Sequence, residues 1–236
     1  MNSNILTVGA ICSACSPEGN RALYEAVVFD MDGTLLNTLD DIARVVNTVL
    51  RSEGLPEKSA EEIRMAVGRG VDNLVKSLVP SSGGEDRAFL ARRIRKTYLE
   101  KGSEKTRPYP GIGKLLSELS SMDIPMAVFT NKPQDSAEAA AEAFFPKTEF
   151  MMVRGASAGS PLKPSAESAS AVLEALGSVP EKTLMVGDSD VDMDTATNSG
   201  MIPVGVSWGY RPPSLLLERG AIHIINEPRE LLSILK

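Results

Sequence analysis

The chain has 236 residues, a length that suits one large or two small domains with a substantial buried core. Its composition, 42% hydrophobic and 24% charged, is ordinary for a soluble globular protein, and no apolar run approaches the ~18 residues that a membrane-spanning helix needs. The net charge of −6 disfavours nucleic acid and anionic membranes as partners, so we expect neither. An anionic substrate would need a local cluster of positive charge.

Residues 1–22 are predicted to form an N-terminal extension. Its apolar segment ILTVGAICSAC loosely resembles a signal peptide, but no Lys or Arg precedes it, so we expect a cytoplasmic protein. Cys12 and Cys15 form an isolated C-x-x-C pair, which has too few ligands for a zinc site. We expect two reduced thiols there.

The first half of the chain predicts one strand followed by helices. The short apolar run at residues 25–30 predicts a buried strand, and Gly54 ends the first helical pattern. No strand is predicted between about residues 37 and 107. The predicted helices of this stretch are at 39–51, from a capping box at 59–62 onward, and at 85–101.

The rest of the chain alternates between helices and strands, a pattern that favours a doubly wound, Rossmann-like parallel sheet. We therefore predict an α/β core domain at 23–36 and 107–236, with an all-helical cap domain, 37–106, inserted after the first strand. The predicted elements after 107 are helices at 111–122, 135–144, 165–176, 192–199 and the C-terminus, and strands at 125–130, 149–153, 183–188, 203–207 and 221–226.

Acidic, hydroxyl and basic residues follow the predicted strands. Ligands of open α/β sheets bind beyond the carboxyl ends of the strands, so we expect these side chains to converge there. Two like charges as close as Asp30 and Asp32 persist where a cation lies between them or where they carry out chemistry. The expected group consists of Asp30, Asp32, Thr130, Asn131, Lys132, Lys163, Asp188 and Asp192.

Four segments resemble, in order, the four motifs of the haloacid dehalogenase-like superfamily of phosphohydrolases: DMDGT, FTNK, Lys163-Pro164 and GDSDVD. The match runs from about residue 25 to the C-terminus, and the predicted helical insertion resembles the superfamily's helical cap. GVSWGY, GAIHII and PREL resemble the phosphoglycolate phosphatase-like branch. The resemblance implies a Mg²⁺-dependent phosphatase acting on a small phosphorylated metabolite, with 2-phosphoglycolate as the first candidate.

The resemblance also implies a catalytic pair and a metal site. Asp30 would attack phosphorus and form an aspartyl phosphate, while Asp32 would protonate the leaving oxygen and later deprotonate water. The Mg²⁺ ligands would be the carboxylates of Asp30 and Asp188 and the backbone carbonyl of Asp32. Asp192 would support the metal or its waters.

The implied substrate-binding residues surround this pair. Thr130 would donate its hydroxyl to a phosphate oxygen with the help of the Asn131 backbone, and Lys163 would supply positive charge. Gly33 and Thr34 complete the first motif. We also hypothesise that Arg69, in the segment Gly68-Arg69-Gly70, reaches the far end of the substrate; a simple break between helices is the alternative there.

Two positions depart from the family pattern. The family often has Lys-Pro-x-Pro at the third motif, whereas Ala166 replaces the second proline here, so we expect a looser loop that keeps its lysine. Asn37 stands where Asp is frequent, which affects cap hinging at most. DSDVDMD also mimics a calcium loop, but Met193 and Ser199 stand where that loop needs Gly and Glu.

Two other functions stay open on the sequence alone. A phosphosugar mutase of the same superfamily would form the same aspartyl phosphate and return the phosphoryl group to a sugar. A phospho-accepting signalling receiver would also combine acids, a Thr and a Lys on a doubly wound sheet, but its phosphorylated Asp typically ends a middle strand. We expect a monomer or homodimer, and structural roles for His223 and Trp208.

Overall fold

The computed structural model describes residues 23–79, 86–101 and 103–235. The predicted N-terminal extension, with Cys12 and Cys15, lies outside these residues. Among the helices in the described ranges, none is long and apolar enough to cross a membrane.

The protein is built on a six-stranded sheet whose neighbouring strands are all parallel, in the order β5-β4-β1-β6-β7-β8. A second sheet is a single antiparallel pair, β2 with β3. The strands are β1 (Ala26–Phe29), β2 (Leu36–Asn37), β3 (Arg107–Pro108), β4 (Met126–Pro133), β5 (Met152–Ala156), β6 (Thr183–Gly187), β7 (Ile202–Val206) and β8 (His223–Ile225).

Helices cover both faces of the large sheet, and four more form a separate block. Within the described residues, Pro180–Lys182 and Pro228–Glu230 form short 3₁₀ helices. The α-helices are α1 (Leu39–Ser52), α2 (Ala60–Ala66), α3 (Val71–Leu78), α4 (Arg87–Lys101), α5 (Ile112–Ser121), α6 (Gln134–Phe144), α7 (Ala166–Leu176), α8 (Asp190–Ser199), α9 (Pro213–Glu218) and α10 (Leu231–Ile234). We call α1 to α4 the helical block.

Strand β1 lies at the centre of the sheet, and all four of its residues are buried. Side chains alternate between the two faces of a strand, so Val27 and Phe29 enter one apolar cluster with α5 and α6. Ala26 and Val28 enter another with α7 and α8. This double burial explains why β1 reads as a continuous apolar run in the sequence.

The predicted fold class is confirmed, and the predicted elements fit with a few corrections. The strand expected at 149–153 is wrong by three residues, since β5 begins at Met152. Phe150 extended the apolar run, but its ring packs on Phe145 outside the strand. Strand β5 continues instead through Gly155, whose backbone N–H donates to the Gln134 side chain. Helices α3 and α9 were not predicted as separate elements.

The expectation of no strand between about 37 and 107 is wrong at both ends. Asn37 pairs with Arg107, and Leu36 with Pro108, where the chain leaves the core and where it returns. Two residues are too short for any hydrophobic period to show. The predicted capping box is confirmed at Ser59, which opens α2.

Asp41, fully buried in the first turn of α1, ties the exit of the helical block to its return. It accepts hydrogen bonds from the backbone N–H groups of Lys105 and Thr106 at 2.8 and 2.7 Å, and from the Thr106 hydroxyl at 2.8 Å. Arg44 adds an ion pair. Burial alone would raise the pKa of the Asp41 carboxyl, but these hydrogen bonds hold that pKa below its usual value.

Replacing Asp41 with Ala is expected to lower the free energy of unfolding by about 3 kcal/mol, because buried donors lose their acceptor. Urea denaturation followed by the fluorescence of Trp208, the single tryptophan, measures the change. Asp40→Ala, an exposed neighbour, is the control and should change stability by less than about 0.5 kcal/mol.

The stabilisation by Asp41 should also depend on pH. Its folded-state pKa lies below the unfolded value of about 3.9, so the contribution is present above that pH and is lost as pH falls through the folded pKa. The difference in stability between the protein and its Asp41→Asn variant should therefore narrow in acid. A difference that grows below pH ~4 would contradict this assignment.

Candidate active site

A cavity opens at the carboxyl ends of β1, β4 and β6, between the sheet and the helical block. Asp30 and Asp188 directly follow β1 and β6, Thr130 lies in the second half of β4, and all three line the cavity floor. The helical block supplies the opposite wall, which is largely aliphatic. Its apolar lining residues are Ile42, Val46, Val67, Val71, Leu74 and Ile94.

Three buried carboxylates cluster on this floor. Asp30, Asp188 and Asp192 each offer an oxygen, and these oxygens lie within 4.8 Å of one another. The Lys163 ammonium donates to Asp30 Oδ1 at 2.7 Å and to Asp192 Oδ1 at 2.6 Å. Three carboxylates thus face one ammonium, so the cluster carries excess negative charge.

The excess charge is visible in the pKa values of the cluster. Burial, opposed by Lys163 and reinforced by Asp192, raises the pKa of Asp30 to about 7. Burial and the charges of Asp192 and Asp30 raise the pKa of Asp188 well above its usual range. A divalent cation would relieve this repulsion, and carboxylate oxygens are the ligands that Mg²⁺ prefers, so the donor set fits that ion.

The chain holds Asp188 by close backbone approach. A side chain at Gly33, where φ is 95°, would place its Cβ 2.4 Å from Asp188 Oδ2, and one at Gly209 would approach the Asp188 Cβ to 2.1 Å. Thr34 Oγ1 donates to Asp188 Oδ1 at 3.1 Å, and the Tyr210 N–H donates to Oδ2 at 2.7 Å. Gly33 and Thr34 are not among the cavity-lining residues of the described chain, and both contact Asp188; that they bind substrate stays a prediction.

Asp192 is fixed by the start of α8. Its Oδ2 accepts from the backbone N–H of Ser189 at 3.0 Å, and the Ser189 side chain caps the helix in return. This leaves Asp192 Oδ1 for Lys163. The capping arrangement follows the helix signal in GDSDVD, although the predicted helix began two residues later than α8 does.

Asn131 organises the loop that carries Lys163. Its amide donates to the Lys163 carbonyl at 3.0 Å and accepts from the Lys163 N–H at 2.9 Å. The same amide nitrogen donates to the carbonyl of Gly68 in the helical block at 2.9 Å. The loop with Ala166 was expected to be looser, but this pair of hydrogen bonds pins it. Thr130 is buried and lines the cavity, and its contact with a phosphate oxygen stays a prediction.

The Arg69 side chain lies outside the cavity lining. It is about half exposed and pairs with Asp190 Oδ2 at 2.5 Å. Its neighbours Gly68 and Gly70 line the cavity in its place, in the break between α2 and α3. The hypothesis that Arg69 reaches the substrate therefore has no support in this geometry.

Lys132, which the sequence places in the expected group without a specific role, contacts Asp32. Its ammonium donates to Asp32 Oδ1 at 2.8 Å and Oδ2 at 3.1 Å. It also donates to the hydroxyl of Tyr98 on α4 at 3.0 Å. The only sequence signal was the lysine that follows Thr130 and Asn131 at the end of β4.

Trp208, Asp194 and His223 are not among the cavity-lining residues of the described chain. Trp208 Nε1 donates to the Thr34 carbonyl at 3.1 Å, and its ring lies against Tyr109. Asp194 pairs with Arg219, and His223 lies on strand β8 away from the cavity lining.

The sequence that builds this cavity matches a known protein family. A sequence model of the haloacid dehalogenase-like hydrolases matches residues 27–206, from β1 to β7. The chain belongs to this family. The predicted resemblance is thereby confirmed, and the family match spans all the residues of the cavity floor, including Asp30, Thr130, Lys163 and Asp188.

Individual relatives of the family cover most of the chain. A phosphoglycolate phosphatase of Chromobacterium violaceum is 31% identical over 222 residues, 92% of this chain and 99% of that protein. One of Caulobacter vibrioides is 31% identical over 188 residues, 78% and 79% of the two chains. A crystal structure from Haemophilus somnus, described as a predicted phosphoglycolate phosphatase, superposes with a TM-score of 0.84 at 25% identity, covering 92% of this chain and 100% of that one.

Mg²⁺ should stabilise this family member through the carboxylate cluster. At a concentration about 100 times its Kd, Mg²⁺ is expected to raise the free energy of unfolding by about 2.7 kcal/mol. Thermal denaturation with Mg²⁺ or EDTA measures the effect. Asp188→Asn should remove most of it, whereas Asp194→Asn, on α8 outside the cluster, should keep it. Equal stabilisation of both variants would exclude a site at the cluster.

Without metal, the cluster should make stability fall as pH rises. The pKa of Asp30 is about 7 in the folded protein and about 3.9 in the unfolded chain. The protonated Asp30 therefore contributes its full stabilisation below pH ~3.9, and this contribution is lost as pH rises through 7. Urea titrations in EDTA across this range should show the decline. It should be smaller in Asp30→Asn, because an amide does not ionise; an unchanged slope would contradict the assignment.

Proposed function

We propose that the protein is a Mg²⁺-dependent phosphatase that hydrolyses a phosphate monoester of a small metabolite through an aspartyl phosphate on Asp30. The observation that carries this proposal is the cluster of Asp30, Asp188, Asp192 and Lys163, with Asp32 beside it in the same cavity. A nucleophilic carboxylate, a proton donor and a cation site are the groups that this chemistry needs.

Lys163 supports both the nucleophile and the phosphoryl group. Its ammonium has three donors, and Asp30 and Asp192 take two of them, so the third is available to a phosphoryl oxygen. The Thr130 hydroxyl can donate to a second oxygen. Mg²⁺, held by Asp30, Asp188 and the Asp32 carbonyl with support from Asp192, would offset the repulsion between the phosphate ester and these carboxylates.

Asp32 completes the reaction as proton donor and acceptor. It protonates the leaving oxygen while Asp30 bonds to phosphorus, and it then takes a proton from the water that hydrolyses the aspartyl phosphate. A signalling receiver has no dedicated group of this kind, so a second carboxyl group in the same cavity as the nucleophile favours turnover. Asp32 lines the cavity in this structure.

We further propose that residues 37–106 act as a cap domain, on the division predicted from the sequence. The block contacts the core beside the cavity: Arg211, after β7, donates to the carbonyls of Arg64, Met65 and Val67 at the end of α2. A cap in this position would exclude bulk water and select the leaving group.

The first candidate substrate is 2-phosphoglycolate. The relatives named phosphoglycolate phosphatase support this choice. We place the reaction in the cytoplasm and take a monomer or homodimer as the acting unit, as expected from the sequence. No contact in the described chain favours a mutase over hydrolysis.

Phosphate release with Mg²⁺ from a panel of phosphorylated metabolites is the direct test. The protein should release phosphate, and Asp30→Asn should lower kcat by at least ~1000-fold, because an amide is a poor nucleophile. Asp194→Asn serves as the matched control and should stay within about threefold.

Each outcome of the panel separates one part of the proposal. Turnover of another ester, but not 2-phosphoglycolate, would keep the chemistry and replace the substrate. Isomerisation of a phosphosugar without phosphate release would indicate a mutase. An Asp30→Asn variant with full activity would overturn the mechanism.

A further inference from the structure

Lys132 joins the core to the helical block at the proposed proton donor. Its side chain is only 4% exposed, and its ammonium donates to both carboxylate oxygens of Asp32 and to the Tyr98 hydroxyl. The ammonium also lies 4.2 Å from the centre of the Tyr98 ring, a cation–π contact. All three donors of Lys132 therefore point at two side chains from different parts of the fold.

Asp32 depends on this lysine for its orientation. Its side chain is 13% exposed, and Lys132 is the one side chain recorded as a hydrogen-bond donor to its carboxylate within the described ranges. Lys163, the other buried ammonium of the cavity, serves Asp30 and Asp192 instead. Lys132 thus pairs with Asp32, whereas Lys163 pairs with Asp30 and Asp192.

Tyr98 brings the helical block into this contact. It lies on α4, while Lys132 lies on β4 and Asp32 follows β1. Burial is the main reason that the pKa of Tyr98 is raised, so its hydroxyl stays protonated and accepts from Lys132 through its oxygen. Any motion of α4 away from the sheet would remove this acceptor and the aromatic ring together.

We propose that Lys132 is a positioning residue that holds Asp32 ready for proton transfer, and that Tyr98 makes this positioning depend on a docked helical block. The inference rests on the proposed function, in which Asp32 donates a proton to the leaving oxygen. It adds that the block controls the acid as well as access to the cavity.

A purely structural ion pair would affect all substrates alike, so the dependence on the leaving group distinguishes the two roles. An alkyl ester leaves as an alkoxide and needs the proton, whereas p-nitrophenyl phosphate leaves as a stable phenolate. The ratio kcat/KM reports only the steps up to departure of the leaving group, and general acid catalysis contributes about 100- to 10,000-fold to such a step.

The experiment measures kcat/KM with Mg²⁺ for p-nitrophenyl phosphate and for the alkyl ester that the protein hydrolyses fastest. Lys132→Met should lower the alkyl value about 100-fold or more and the aryl value less than about tenfold. Lys132→Arg, which keeps the charge, should restore part of the alkyl activity.

Tyr98→Phe keeps the ring and removes only the hydroxyl, so it should lower the alkyl value about three- to tenfold. If Tyr98 acts through Lys132, the same change in a Lys132→Met background should have almost no further effect. Tyr24→Phe is the matched control. Tyr24 precedes β1 at the opposite edge of the sheet, so its loss of a hydroxyl should leave both substrates unchanged.

The outcomes separate this inference from the proposed function. Equal losses on alkyl and aryl esters in Lys132→Met, with normal folding by thermal denaturation, would overturn the positioning role. Additive effects of the two substitutions would overturn the link through Tyr98. Failure of the unaltered protein to hydrolyse either ester would instead count against the proposed phosphatase.

Discussion

Repulsion among three buried carboxylates is the constraint on which the rest of the site depends. The Lys163 ammonium pairs with Asp30 and Asp192 but not with Asp188, and burial raises the pKa of Asp30 and of Asp188. Close backbone approach holds Asp188 in this cluster, and a helix cap holds Asp192. Stability is thereby given up at the one place where a cation and a phosphoryl group are expected to meet.

The helical block places a largely aliphatic wall opposite this charged floor. Several polar contacts join the block to the core, and some of them involve residues next to the proposed chemistry. Asn131 reaches Gly68, Lys132 reaches Tyr98, and Arg211 holds the end of α2. A change in the position of the block would therefore alter the contacts of Asn131, which holds the loop of Lys163, and of Lys132, which holds Asp32.

Much of this arrangement could be predicted from the sequence because it rests on local patterns. Apolar runs located β1 and the other strands of the sheet, and the four motifs located the acids and Lys163. The contact of Lys132 with Tyr98 could not be predicted, since it depends on where α4 packs. The ion pair of Arg69 with Asp190 could not be predicted either, since it depends on where α8 packs. The contacts of Gly33 and Thr34 with Asp188 could not be predicted for the same reason, since 155 and 154 residues of chain separate them from it.

The paired strands β2 and β3 place the exit and the return of the helical block side by side, and Asp41 fastens them. The chain thus enters and leaves the block through these two adjacent strands, so the length and sequence of the insertion can vary without altering the register of the large sheet. Substrate choice can then change with the insertion, provided that a new insertion keeps an acceptor for Lys132 where Tyr98 lies. A lineage could exchange the whole insertion while every acid on the sheet edge keeps its place.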